Sequence, residues 1–137
     1  MPRFLRYHLP ALLWAGIILA TSNGYFSSDH TGGLLLWLHI PDRWLDLVNF
    51  IFRKCAHLGG YGVLGALNFR ALRADKGGWR AGWAVGAVAL AVAVASIDEW
   101  HQSYIPSRTG NAQDVLVDGI GATIAQLIIR VTGRRAA

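Results

Sequence analysis

The stretch SIDEWHQSYIPSRTGNAQDVLVDGIGA, residues 96–122, decides how the chain is read. It sets Asp98, Glu99, Arg108, Asp114 and Asp118 among two apolar runs, AGWAVGAVALAVAVASI and GIGATIAQLII, that are composed for lipid. Ionisable groups are costly inside a bilayer, and where they occur they face a bundle interior or an aqueous cavity. The stretch therefore predicts a membrane bundle with a polar centre near one end, and the rest of the sequence supports this.

Across 137 residues, a hydrophobic content of 53% against 15% charged falls on the membrane side of ordinary soluble composition. Four segments read as spanning helices, at about residues 4–22, 55–72, 79–99 and 111–131. None alternates as a barrel strand would, so helices are the remaining way to satisfy the backbone in lipid. The expected fold is an all-α integral membrane protein, a four-transmembrane-helix bundle in a single domain covering residues 1–137. Residues 23–52 are long for a connection; DRWLDLVNFIF within them is apolar on one helical face and reads as an outer interfacial helical segment between spans one and two. The start of a longer second helix fits that segment equally well. Arg3 and Arg6 before the first apolar run also describe a secretory signal peptide, in which case three spans would remain.

Lysine and arginine on alternate sides set the orientation. Arg3, Arg6, Arg70, Arg73, Lys76, Arg80, Arg130, Arg134 and Arg135 lie on one side, and Arg43, Arg53, Lys54 and Arg108 on the other. The richer side places both termini in the cytoplasm. That distribution also accounts for the net charge of +5 without a basic stripe for nucleic acid. Trp79 and Trp83 fall at the inner boundary, and Trp37, Trp44 and Trp100 at the outer one. The lone Cys55 excludes an intrachain disulfide and reads as a packing residue.

A helix needs about 20 residues to cross the hydrocarbon. The uncharged runs Cys55 to Phe69, Ala81 to Ile97 and Gly119 to Ile129 all fall short of that. Each deficit is made up at the outer end from polar residues: Lys54 and His57, then Asp98 and Glu99, then Asp114 and Asp118. Lys54, His57 and Tyr61 share a helical face; Asp98 and Glu99 each share one with Gln102; Asp114 and Asp118 are one turn apart. Three polar stripes should converge on an outward-facing pocket, with Gly59, Gly60, Gly62, Gly65, Gly119 and Gly121 allowing close helix approach beneath it.

At RKCAHLGGYGVLG, DEWHQ and RTGNAQDVLVDGIGA the sequence resembles the VanZ-like family, over nearly the whole chain and with three motifs in order on consecutive spans. Many relatives carry Asn where this chain has Asp118, so this site holds one more acid. The resemblance implies a bacterial cytoplasmic (inner) membrane protein of the type linked to resistance to teicoplanin, a glycopeptide with a lipid tail; it implies no particular reaction.

Three readings of the site follow. In the first, an enzyme acts on an anionic or glycosylated lipid or cell-wall precursor. His57, Glu99, Asp98 and Asp114 are then the catalytic candidates, with His57 or Glu99 as general base and Asp98 or Asp114 fixing the imidazole tautomer. Lys54, Tyr61, Gln102, Arg108 and Asp118 are the substrate-binding candidates, Lys54 and Arg108 holding phosphate or carboxylate. No GxSxG nucleophile motif is present. In the second reading the same residues bind or shield a lipid head group without chemistry. In the third they form an ion-pair network that locks the bundle. No cofactor and no metal is expected, because the intermixed cations would compete with a metal ion for the carboxylates.

Overall fold

The computed structural model describes residues 2–22, 37, 41–104 and 110–135. All regular structure among them is helical: α1 (Arg3–Tyr7), α2 (Leu9–Thr21), α3 (Asp42–Arg73), α4 (Ala81–Gln102) and α5 (Ala112–Arg135). The first expected span is thus two pieces. Pro10 has no N–H to offer the Arg6 carbonyl and its ring crowds that carbonyl, so the helix breaks at His8 and restarts at Leu9.

The segment 42–52 is not a separate interfacial helix. It is the first third of α3, a helix of 32 residues and so about 48 Å long. Neither glycine nor proline occurs between Asp42 and Leu58, so nothing in the local chemistry stops the helix before the next span begins. The helix ends instead at Ala74, which adopts φ 48°, before the Gly77–Gly78 turn, where Gly78 has φ 77°.

The chain runs up and down. Trp14 reaches Gly60 and Tyr7 reaches Asp75, so α2 and α3 are antiparallel. Lys54 meets Asp114 and, further along both helices, Gln126 meets Gly65, so α3 and α5 are parallel. The α3–α5 crossing is made by small residues. A Cβ on Gly65 would lie 3.0 Å from Ala122 Cα, one on Gly62 3.3 Å from the Gly121 carbonyl oxygen, and one on Gly121 would strike the Leu58 carbonyl. Gly119 sits against Val92 of α4 in the same way. Gly59 and Gly60 do not share this role, since a Cβ at either meets nothing within 4 Å. They face away from the crossing, although the Gly60 carbonyl accepts a hydrogen bond from Trp14 Nε1 at 2.9 Å.

The core is thin. Tyr61, Leu64, Ala91, Ala95 and Ala122 form one cluster, and Phe69, Ala84 and Ala87 another. Outside it the helices are apolar: Val85, Ile97, Leu116 and Leu127 are all more than half exposed. Two helices, Ala81–Gln102 and Ala112–Gly133, are long and apolar enough to cross a membrane. With only about a quarter of their residues buried they are unlike the core helices of a soluble protein, and an apolar exterior of this kind marks a surface meant for lipid or a partner. At the Asp75 end, Arg80 lies over Trp83 and Arg130 over Trp79 at 4.9 and 4.8 Å, bringing the basic and aromatic residues together as at a membrane boundary.

Candidate polar site at the Asp98 end of the bundle

The site grows out of helix periodicity. On α4 the buried face runs Ala84, Ala87, Ala91, Ala95, then Asp98, Glu99 and Gln102. The alanines bring the neighbouring helices close, and the same stripe then continues in polar residues. On α5, Asp114, Asp118, Ala122 and Gln126 succeed one another at one-turn spacing, and the last three are buried. On α3 the matching line is Lys54, His57, Tyr61 and Leu64.

Because α3 and α5 are parallel, their polar residues meet as rungs. The first is the Lys54–Asp114 ion pair, part-buried, with Lys54 Nζ also 5.4 Å from the Phe50 ring. The second is His57 Nδ1 with Asp118, at 3.1 Å from Oδ1 and 3.4 Å from Oδ2; the Asp118 side chain is fully buried. The imidazole stacks on the Tyr61 ring, with centroids 6.2 Å apart and planes at 19°. With the imidazole neutral, its Nδ1–H donates to Asp118 and leaves Nε2 as an acceptor.

Asp98 is wholly buried and works as an acceptor hub. Its Oδ2 takes hydrogen bonds from Ser22 Oγ at 2.9 Å, Gln102 Nε2 at 3.0 Å and the Tyr61 hydroxyl at 3.4 Å, joining α3, α4 and the residue that ends α2. Glu99 turns to the other side. Its Oε2 accepts the Asn111 backbone N–H at 2.7 Å, while Oε1, also buried, accepts nothing among the described residues. Asn111 holds that position because its own side chain caps α5, accepting the Gln113 N–H at 3.0 Å. The chain can return so tightly over the end of α4 because residue 110 is glycine; a Cβ there would strike the Glu99 carbonyl.

His57, Glu99 and Asp118 each offer one atom such that the three lie within 4.8 Å of one another. The structure therefore brings Lys54, His57, Tyr61, Asp98, Glu99, Gln102, Asp114 and Asp118 to one end of the bundle, while Arg108 lies outside the described residues. The carboxylate on His57 is Asp118 rather than Asp98 or Asp114, because Asp98 is taken up by Ser22, Tyr61 and Gln102, and Asp114 by Lys54. Sequence reasoning also missed Ser22 and Asn111. A polar residue closing the first apolar run was the available signal for Ser22; a backbone N–H leaves none for Asn111.

Taken together, the cluster can hold an anion at Lys54, orient an imidazole through Asp118 and present a carboxylate oxygen at Glu99. A family model described as VanZ/LLP1 matches residues 8–133. No curated protein and no solved structure matches the chain.

Proposed function

The chain belongs to the VanZ/LLP1 family, which is linked to glycopeptide resistance, and from that premise we propose that it is a multi-pass membrane protein acting on an anionic or glycosylated lipid, or a lipid-linked cell-wall precursor, at the outer leaflet of the bacterial cytoplasmic membrane. It crosses four times, with both termini cytoplasmic, and the Asp98 end of the bundle opens to the extracytoplasmic side. A reporter fused after Ala137 then works only in the cytoplasm; activity outside would refute both the orientation and the location of the site.

The observation that carries the reading is the arrangement of His57, Asp118 and Glu99. A lock made only of ion pairs leaves its members matched, as Lys54 and Asp114 are. Glu99 instead keeps an oxygen without a donor among the described residues, beside an imidazole held by a buried carboxylate. Buried polar groups left unpaired are expensive, and they collect where chemistry or binding uses them. In this reading Lys54, with Arg108, takes the phosphate or carboxylate of the substrate, sharing it with Asp114. The cluster of His57, Glu99 and Asp118 accepts the proton of the attacking water or hydroxyl group.

Glu99→Gln, His57→Gln and Asp118→Asn test this beside Arg43→Gln, an exposed residue off the three stripes. Each variant is purified in detergent for its thermal midpoint and expressed in cells for glycopeptide tolerance, with mass spectrometry of lipids and wall precursors. Loss of tolerance in variants that remain folded, with an altered head group in wild-type cells, supports the enzyme. A lipid that copurifies unaltered supports a binding module. If every inactive variant is also unfolded, the cluster is a lock and the proposal fails.

A further inference from the structure

Of the two cations that argued against a metal ion, Arg108 lies outside the described residues and Lys54 has a partner of its own. Lys54 is committed to Asp114, and among the described residues no lysine or arginine pairs with Asp98, Glu99 or Asp118. What remains is one imidazole and two buried carboxylates whose nearest oxygen and nitrogen atoms lie within 4.8 Å of one another. The geometry points to a divalent-cation site built by His57, Glu99 and Asp118.

Two observations carry this independently. The first is the spacing. Ligand bonds of about 2.0–2.1 Å to a tetrahedral ion place neighbouring ligand atoms about 3.3 Å apart. His57 Nδ1 and Asp118 Oδ1 are already at 3.1 Å. Glu99 must close by about 1.5 Å at most to reach such spacing, a side-chain torsion rather than a backbone movement. The second is the orphaned oxygen. Glu99 is 6% exposed, and its Oε1 accepts no hydrogen bond among the described residues, while Oε2 is fixed by the Asn111 N–H. One oxygen anchored by a backbone donor and the other left open is how an outer hydrogen bond orients a carboxylate ligand.

Charge argues the same way. Asp98, Glu99 and Asp118 lie together at the bundle end, and among the described residues only His57, when protonated, could offset any of them by direct pairing. A divalent ion would supply the missing charge without a long side chain. One nitrogen and two oxygens favour Zn2+, which is borderline in softness, with Mn2+ the hard ion to compare, over the all-oxygen preference of Mg2+ and Ca2+. Three protein ligands also leave a coordination position open, which suits the anionic oxygen of a lipid phosphate or a carboxylate. The inference deepens the proposed function by naming what receives the substrate's anionic oxygen there, and it is read by metal content so that the two can fail separately.

The full chain is purified in detergent, stripped with chelator, incubated with ZnCl2 or MnCl2, desalted and assayed by elemental mass spectrometry. The expected result is about one ion per chain, with affinity weakened by about tenfold or more in Glu99→Gln and Asp118→Asn and unchanged in Asp75→Asn, at the opposite end of the bundle. A second measurement needs no variant: Zn2+ should slow carbethoxylation of His57, mapped by peptide mass spectrometry, relative to the exposed His8 and His101. Wild-type protein that retains no metal overturns the site, as when Arg108 supplies the missing charge, and leaves a metal-free acid–base cluster intact. Equal metal in the variants, or bound Zn2+ that leaves His57 labelling unchanged, overturns it too.

Discussion

Replacing Gly121 by alanine adds one methyl group at the α3–α5 crossing, and the structure says where it goes. The new Cβ would strike the carbonyl oxygen of Leu58 and lie 3.0 and 3.1 Å from the carbonyl carbon and Cα of the same residue. All three atoms are backbone, so no rotamer change relieves the contact and the two helices must separate. Overpacking of this kind costs about 1–3 kcal/mol, and the gain in helix propensity from glycine to alanine returns about 1 kcal/mol. The expected net loss is about 0–2 kcal/mol, all of it from the crossing. Gly59→Ala is the matched control: same chemistry, interior of α3, nothing within 4 Å of the added atom. It should gain up to about 1 kcal/mol from propensity alone. Thermal unfolding followed by far-ultraviolet circular dichroism, in one detergent for both proteins, reads the difference. A Gly121→Ala midpoint equal to or above that of Gly59→Ala would show that the helices are not held at contact distance there, and the packing argument would fall.

Ala74 adopts φ 48° and ψ −124° at the end of α3, a region that costs a residue with a Cβ about 1–3 kcal/mol, so Ala74→Gly should raise the thermal midpoint despite glycine's greater unfolded entropy. Trp14→Phe removes the Nε1–H that binds the Gly60 carbonyl and should cost about 1 kcal/mol, seen as earlier proteolysis of α2. The Tyr7 hydroxyl and Arg3 both donate to Asp75 and hold its carboxyl below the ordinary 3.8. Its contribution is therefore present above that value and lost as pH falls through the depressed one, so Asp75→Asn should lose less stability than wild type between about pH 5 and pH 3. High salt should shrink that difference, because the Arg3 side chain is 81% exposed. Equal acid sensitivity of the two proteins would remove Asp75 from the account.

The polar stripes were legible because two simple constraints overlap: a helix repeats every 3.6 residues, and charges at span ends must be shielded from lipid. Lys54, His57 and Tyr61 fall on one line for that reason, as do Asp114 and Asp118. Partner choice was not legible. Spacing within α3 and within α5 says nothing about how the two are offset along their axes, and that offset makes Asp118, not Asp98 or Asp114, the carboxylate beside His57. The length of α3 was ambiguous for a different reason. Asp42, Arg43, Asp46 and Lys54 lower the local hydropathy without supplying any group that ends a helix, so a search for apolar runs divides what the backbone keeps continuous.

The offset itself comes from the glycines. Gly62, Gly65, Gly121 and Ala122 form the closest part of the α3–α5 contact, and close packing of small residues tolerates little sliding of one helix on the other. His57 lies five residues before Gly62, and Asp118 three before Gly121, so both side chains leave their helices within about two turns of the fixed point. The rung at 3.1 Å is then a consequence of backbone packing rather than of attraction between an imidazole and a carboxylate. Attraction could not have set it alone, since burying such a pair costs about as much as it returns. The crossing holds Asp118 against His57, α4 carries Glu99 in on the face begun by its alanines, and Asn111 pins one oxygen of that carboxylate. A helical bundle this small can keep unmatched carboxylate oxygens inside it, on Asp98 as well as Glu99, because the apolar crossing, and not the polar cluster, supplies the rigidity.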